Sequence, residues 1–202
     1  MRVLIEDSRR PASSYTVAAV FSDKPGAPGL AAAASLGVPA HALDAGKTTE
    51  RGAYDELLGD AIAQYSPALI VLAGFMRILS PAFVQRFEGR ILNIHPALLP
   101  RYPGLHTHRR VLAAGDREHG VTVHYVTAEL DGGPRILQAA LTVEARDDES
   151  HLAARVQVLE HQIYPLVVRW HCEGRLRYVA GAAWFDSAAL KEPLQLAEIN
   201  VT

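Results

Sequence analysis

The chain has 202 residues, 21% of them charged and 49% hydrophobic, with a formal net charge of −2 and a pI near 6.5. That length suffices for one α/β domain or two closely packed halves, and the near-neutral charge excludes a basic face that attracts nucleic acid in bulk. A single cysteine, Cys172, excludes an intrachain disulfide, no apolar stretch approaches the ~20 residues that span a bilayer, and the start turns charged at Glu6, unlike a signal peptide, so a cytoplasmic protein is expected.

Apolar runs alternate with helical patterns, which predicts a parallel sheet with crossover helices. Arg2–Ile5 reads as the first strand and Thr16–Phe21 as the second. Only about ten residues separate them, fewer than the dozen a helical crossover needs. A mononucleotide-binding fold places a glycine-rich phosphate turn after its first strand, yet no glycine precedes Gly26. A segment is therefore expected to be missing here. Thr49–Tyr65 predicts an amphipathic helix with Tyr54, Leu57, Leu58, Ala61, Ile62 and Tyr65 on one stripe. Ala68–Ala73 follows as a strand, then Ser80-Pro81 as a helix N-cap, and Arg90–His95 as another strand. Val121–Val126 and Ile136–Val143 lie close enough to pair with each other. A long helix is predicted from Asp148 to Trp170, striped by Leu152, Val156, Leu159, Ile163, Leu166 and Trp170. Pro165 should kink it and Gly174 stop it. Beyond Ala180 the chain reads as irregular.

The strand Arg90-Ile91-Leu92-Asn93-Ile94-His95-Pro96 carries the chemistry. Its period of two puts Ile91, Asn93 and His95 on one face. An amide and an imidazole are costly to bury there without partners, at ~1–3 kcal/mol each. They sit at the carboxyl end of the strand, where open α/β sheets bind ligands. The alternative is that both merely satisfy loop backbone groups. Three prolines between Pro96 and Pro103 make the next stretch a rigid loop. Glu129-Leu130-Asp131-Gly132-Gly133-Pro134 then puts a carboxylate on a turn, and here too an aspartate before Gly-Gly has a purely structural reading. Thr107 is the expected N-cap of the following helix; His106 is a candidate partner behind Asn93 and His95, and His124 is expected to be packed rather than catalytic.

The segments Ala73-Gly74-Phe75-Met76-Arg77-Ile78-Leu79, Leu92-Asn93-Ile94-His95-Pro96, Leu98 to His108 and Glu129 to Pro134 closely resemble the phosphoribosylglycinamide formyltransferases in content, order and spacing. The resemblance runs from about Val17 to Trp184. Asn-Ile-His-Pro is common to relatives that transfer or hydrolyse formyl groups from folate, and Tyr-Pro-Gly-Leu-His-Thr-His is more particular to the glycinamide ribonucleotide enzymes. It implies a three-layer Rossmann-like α/β fold, mostly parallel, with an antiparallel strand in the C-terminal half. It further implies a single domain, 1–202, with a nucleotide-binding half (1–90) and a catalytic and folate-binding half (91–202).

By the same resemblance Asn93, His95 and Asp131 are the catalytic trio. Asn93 and a protonated His95 would stabilise an oxyanion, and Asp131 would favour the imidazolium and help move the amine proton. Arg51, Gly74, Met76, Ile94 and Glu160 are implied to bind glycinamide ribonucleotide. Arg77, Ile78, Leu79, Val126, Thr127, Ala128 and Glu129 are implied to bind the co-substrate 10-formyltetrahydrofolate. No metal, nucleic-acid or membrane partner is implied, and the chain is expected as a monomer or homodimer. A cis Leu99-Pro100 bond is also implied. The departure is the family's glycine-rich phosphate loop, expected to be missing after residue 4. That leaves open a non-catalytic folate-binding remnant as an alternative. Formyltetrahydrofolate deformylase and methionyl-tRNA formyltransferase are others, each needing a further domain.

Overall fold

In the computed structural model, residues 1–44, 46 and 50–199 are described. The chain opens with a helix, α1 (Arg2–Asp7), where the sequence suggested a strand. Short apolar runs do not distinguish the two by periodicity. Here Arg2 and Glu6 pair one turn apart at 2.8 Å, and the N–H groups of Leu4 and Ile5 both reach the Met1 carbonyl. The helix passes unbroken through Leu4 and Ile5. Asp7 anchors the helix from a buried position, accepting from Arg169 at 2.6 Å and from the Tyr15 hydroxyl at 3.1 Å.

An irregular stretch leads to β1 (Val20–Ser22), which pairs in parallel with β2 (Ala40–Ala42) across α2 (Pro28–Ser35). The expected strand Thr16–Phe21 is thus shorter and shifted. Then come α3 (Arg51–Ala63), β3 (Ile70–Leu72), α4 (Pro81–Arg86) and β4 (Ile91–His95). Thr49, the expected start of α3, lies outside the described residues. Leu57 of the predicted stripe is exposed, whereas Tyr54, Leu58 and Ile62 are buried. Ser80 caps α4 as expected, its hydroxyl accepting from the Phe83 N–H.

The second half holds α5 (Thr107–Ala114), the hairpin β5 (Glu118–Tyr125) and β6 (Arg135–Thr142), and α6 (Glu149–Cys172). Asp148 caps α6 by accepting from the His151 N–H, Pro165 lies inside the helix, and Gly174 follows its end at φ 75°. The five-stranded sheet has the order β10-β6-β5-β4-β3, with β5 antiparallel to both neighbours and the other pairs parallel. Alternation along β4 makes the three layers. Leu92 faces the core formed by α6 with β5 and β6, and Ile91 faces a second core under α3 and α4.

The stretch after Ala180 is not irregular. β7 (Leu176–Val179), β8 (Ala182–Phe185) and β9 (Ala188–Ala189) form an antiparallel sheet, and β10 (Leu194–Gln195) adds to β6. A two-residue turn with positive φ at Ala180 and Gly181 joins β7 to β8, the geometry that matches strand twist. Alanine at the first position hid it. Among the described residues no helix is long and apolar enough to cross a membrane.

Tyr164 of α6 ties β3 to β4. Its buried hydroxyl lies 2.7 Å from the Leu72 carbonyl and 3.0 Å from that of Leu92, one on β3 and one on β4. Tyr164→Phe should therefore cost about 1–2 kcal/mol of stability with helix content unchanged. Urea denaturation followed by circular dichroism measures this, and an unchanged midpoint would contradict the bridging role.

Candidate active site

Antiparallel pairing of β4 with β5 sets Asn93 opposite His124 and His95 opposite Thr122. Directly opposed side chains meet, and Asn93 Nδ2 lies 3.2 Å from His124 Nε2. His124 Nδ1 is 2.9 Å from the Tyr125 carbonyl, so that nitrogen carries the proton. Burial lowers the His124 pKa, opposed by the Tyr125 bond and by Asp131. A neutral ring then presents Nε2 as an acceptor. The amide of Asn93 is thereby oriented, one N–H spent on His124 and the other free to face a ligand.

His95 is 6% exposed, and its Nε2 sits 2.9 Å from the Tyr102 carbonyl. A carbonyl only accepts, so Nε2 is protonated. The other ring nitrogen, Nδ1, is 3.4 Å from Asp131 Oδ2. Both nitrogens are satisfied only when both carry protons. The contact at Nδ1 is the looser, so that N–H is the one able to turn toward an anion.

Asp131 reaches the site through the turn between β5 and β6. It adopts φ 52°, a left-handed conformation aspartate tolerates better than most residues. Gly133 makes the turn possible: a Cβ there would meet the Tyr125 carbonyl oxygen at 1.9 Å. The result is a carboxylate side chain only 8% exposed. Its Oδ2 accepts from the Gly104 N–H at 2.8 Å, and its Oδ1 lies 3.7 Å from His124 Nε2.

The proline-rich loop is fastened from β5 and β6. Thr122 Oγ1 donates to the Ala97 carbonyl at 2.7 Å and accepts from the Leu99 N–H at 3.0 Å. Gln138 donates to the Leu99 carbonyl at 2.7 Å, and Arg135 does so at 3.0 Å. Leu99-Pro100 is cis, as the resemblance implied.

The structure thus brings Asn93, His95 and Asp131 together. Of the residues implied for the ribonucleotide, Gly74, Ile94 and Glu160 line one cavity of about 230 Å³ beside Tyr164. Burial pushes the Glu160 carboxyl pKa up, partly offset by the Met1 amine. Met76 and Arg51 are not part of that lining; Met76 is exposed, and Arg51 donates to the Leu79 carbonyl at 2.5 Å. Of those implied for the folate, Leu79 is buried and packs with Val126 in one cluster, which sets the two segments side by side. Ile78 is exposed, and Arg77 lies over the Tyr54 ring at 4.4 Å with its buried Nε unpaired among the described residues. Ala128 and Glu129 are exposed, and Thr127 Oγ1 lies 3.5 Å from the Glu129 carbonyl.

Two expectations fail. The N-cap of α5 is His106 at φ 58°, not Thr107, whose buried hydroxyl has no partner among the described residues. His106 itself is exposed and makes no hydrogen bond to the trio among the described residues. His124 is packed as expected, at 2% exposure; sequence reasoning missed its bond to Asn93 and the roles of Thr122 and Gln138. All three are spaced by two or four from strand positions already assigned, but their roles depend on cross-strand register.

A formyl transferase family profile matches residues 1–168. The chain is 53% identical to phosphoribosylglycinamide formyltransferase of Escherichia coli K12 over 94% of this chain and 90% of that protein. It is 45% identical to the Haemophilus influenzae protein of the same name, over 86% and 82%. The chain belongs to the phosphoribosylglycinamide formyltransferase family. The fold agrees with that of solved formyltransferases: the Coxiella burnetii enzyme matches with a TM-score of 0.89 at 42% identity, over 96% of this chain and 92% of that one. Glycinamide ribonucleotide transformylase 1 of Symbiobacterium toebii matches with 0.87 at 38%, over 91% and 87%.

Outside this cluster, His108 Nδ1 lies 2.9 Å from His119 Nε2. Burial first, then the nearby His108 and His95, lower the His119 pKa to about 4. An unfolded histidine titrates near 6.5, so between pH 6.5 and 4 the unfolded chain binds the extra proton. Stability should therefore fall as pH drops through that window and be unaffected by this group above it. The urea midpoint of His119→Gln should decline less steeply over the same window; identical slopes would count against this assignment.

Proposed function

We propose that Asn93, His95 and Asp131 carry out formyl transfer from 10-formyltetrahydrofolate to the amine of glycinamide ribonucleotide, a step of de novo purine biosynthesis. The observation that carries this reading is the Asp131 carboxylate, buried between His95 Nδ1 and the Gly104 N–H, across from the Asn93–His124 pair. The substrate amine attacks the formyl carbon, and the carbonyl oxygen becomes an anion. The free N–H of Asn93 and Nδ1–H of His95 stabilise that charge, each donor worth ~3–4 kcal/mol in comparable sites. Asp131 accepts the proton lost by the amine. The bond from the formyl carbon to N10 of the folate then breaks, and the proton passes to N10.

The ribonucleotide is assigned to the cavity of Gly74, Ile94 and Glu160, with Glu160 on the ribose hydroxyls and Met76 and Arg51 at its approach. The folate is assigned to the Arg77–Leu79 and Val126–Glu129 segments. The unpaired Arg77 Nε and the exposed faces of Met76 and Ile78 suit a flat, polar-edged ring with an apolar body. Residues 1–90 then form the nucleotide half and 91–202 the catalytic and folate half. The reaction as written requires no metal. A free Cys172 suits the reducing cytoplasm, where the enzyme acts as a monomer or homodimer on small molecules, without nucleic acid or membrane.

A formyl-transfer assay with glycinamide ribonucleotide and a 10-formyl folate donor tests this directly. Turnover is expected; a folded chain that binds a folate analogue without turnover would overturn it. Asp131→Asn should lower kcat by ~100-fold or more with folate-analogue affinity nearly unchanged. Full activity in that variant would contradict its role. Glu160→Gln should raise KM for the ribonucleotide by about tenfold, the loss of one buried hydrogen bond to a charged group, with little change in kcat.

A further inference from the structure

The proline-rich loop between β4 and α5 is fastened at both ends. Leu99 is held by Thr122, Gln138 and Arg135, and the Gly104 N–H by Asp131. Tyr102 stands between these anchors, and its carbonyl is the acceptor that holds His95 Nε2 at 2.9 Å. The direction of a carbonyl is set by the backbone angles of its own residue. Tyr102 has φ 57° and precedes Pro103. Bulky side chains seldom adopt positive φ, and a residue before proline is pushed toward extended backbone. Relaxation of Tyr102 toward that preference would swing its carbonyl off the imidazole. A residue keeps such a conformation only where its surroundings hold it there.

The tyrosine side chain supplies that hold. Its hydroxyl donates to the Asp116 carboxylate, at the junction of α5 and β5, and Arg101 Nη2 pairs with the same oxygen. Asp116 is half-buried, and its own N–H reaches back to the Val111 carbonyl of α5 at 3.3 Å. Two residues on, Glu118 opens β5, the strand that carries Thr122 and His124. The phenol ring lies against the guanidinium groups of Arg101 and Arg110, 5.4 and 5.2 Å from its centroid. Arg110 also donates to the Pro103 carbonyl at 2.6 Å. Hydrogen bonds from Arg101 and then Tyr102 hold the Asp116 carboxyl below its ordinary pKa. The acceptor is therefore charged at neutral pH, and a charged acceptor makes the stronger hydrogen bond.

We propose that Tyr102, anchored through its hydroxyl to Asp116, is a positioning residue that fixes the proton on His95 Nε2 and the aim of His95 Nδ1. The contacts run from the Asp116 carboxylate to the Tyr102 hydroxyl, and from the Tyr102 carbonyl to His95 Nε2–H. That leaves Nδ1 directed at Asp131, 3.4 Å away. Tyr102 and Asp116 act through His95 rather than on the reacting atoms. The proposal rests on the assignment of His95 to formyl transfer and deepens it. What it adds is that an imidazole at the end of β4 takes its orientation from a carboxylate at the start of β5, through one tyrosine.

The test uses the full chain with Tyr102→Phe, which keeps the ring and its packing and removes only the hydroxyl. The kcat for formyl transfer should fall by ~10- to 100-fold, the scale of a misplacement of about an ångström. KM for both substrates should stay within about twofold, and Tm should be nearly unchanged. Asp116→Ala should reproduce this loss, and Asp116→Asn, which keeps an acceptor oxygen, should recover most of the rate. The double variant Tyr102→Phe/Asp116→Ala should be no slower than either single one, because both break the same contact. Nitrogen-15 NMR of labelled histidine reads the positioning apart from turnover. The His95 Nε2–H proton should exchange with water about tenfold faster or more in Tyr102→Phe. Full kcat in Tyr102→Phe, a loss that falls on KM or Tm alone, or an Asp116→Asn variant no better than Asp116→Ala would overturn the proposal. So would an unchanged His95 signal. A chain that transfers no formyl group at all would overturn the assignment of His95 and not the anchoring, which the histidine signal then decides alone.

Discussion

A carboxylate shut away from water must be matched by donors, and the Asp131 side chain faces three groups from three separate segments. Gly104 from the proline-rich loop and His95 from the end of β4 offer it N–H groups, while the neutral His124 of β5 stands 3.7 Å away. Each of these is itself held. Gly104 belongs to a loop pinned by Thr122 and Gln138, His95 is fixed by the Tyr102 carbonyl, and His124 by that of Tyr125. Displacing the carboxylate would leave an unpaired charge or several orphaned donors, each costing ~1–3 kcal/mol. The turn at 129–134, the positive φ of Asp131 and the bare Cα of Gly133 all serve to deliver that one group.

The molecule is unevenly built around this centre. On the side of α6, the residues of β5 and β6 that face the core are all but inaccessible, Val121, Val123, Tyr125, Ile136 and Leu137 at 0%. On the side of β1 and β3 no strand residue reaches that level of burial. A side-chain cluster held to within about half an ångström needs rigid support, and the tightly packed side supplies it. Tyr164 is the link across, standing in the tight core with its hydroxyl on the carbonyls of both β3 and β4.

Much of this was legible in the residues. The period of two in Ile91–His95 placed Asn93 and His95 on one face, and the hairpin of β5 and β6 and the long α6 with its Asp148 cap follow local signals of pattern and capping. The trio's third member needed the family resemblance, since an aspartate before two glycines has an ordinary turn reading. Three things were out of reach of local reasoning. Arg2–Ile5 is apolar enough for a strand, and only its ion pair and packing on Arg169 show a helix. The β7–β8 hairpin hid behind an alanine at positive φ, a residue that rarely signals a turn. The role of His124 exists only in the cross-strand register that sets it opposite Asn93, and register is not a property of either strand alone.

The hydrogen bonds that hold the trio span short stretches of chain: 7 residues from His95 to Tyr102, 27 from Gly104 to Asp131 and 31 from Asn93 to His124. Asn93, His95, Tyr102, Gly104, His124 and Asp131 therefore all lie between β4 and the end of the β5–β6 turn. Loop-closure entropy rises only with the logarithm of such separations, and antiparallel hairpins close before long-range parallel pairings. The cluster of Asn93, His95 and Asp131 is thus closed by hydrogen bonds within one contiguous stretch of the chain.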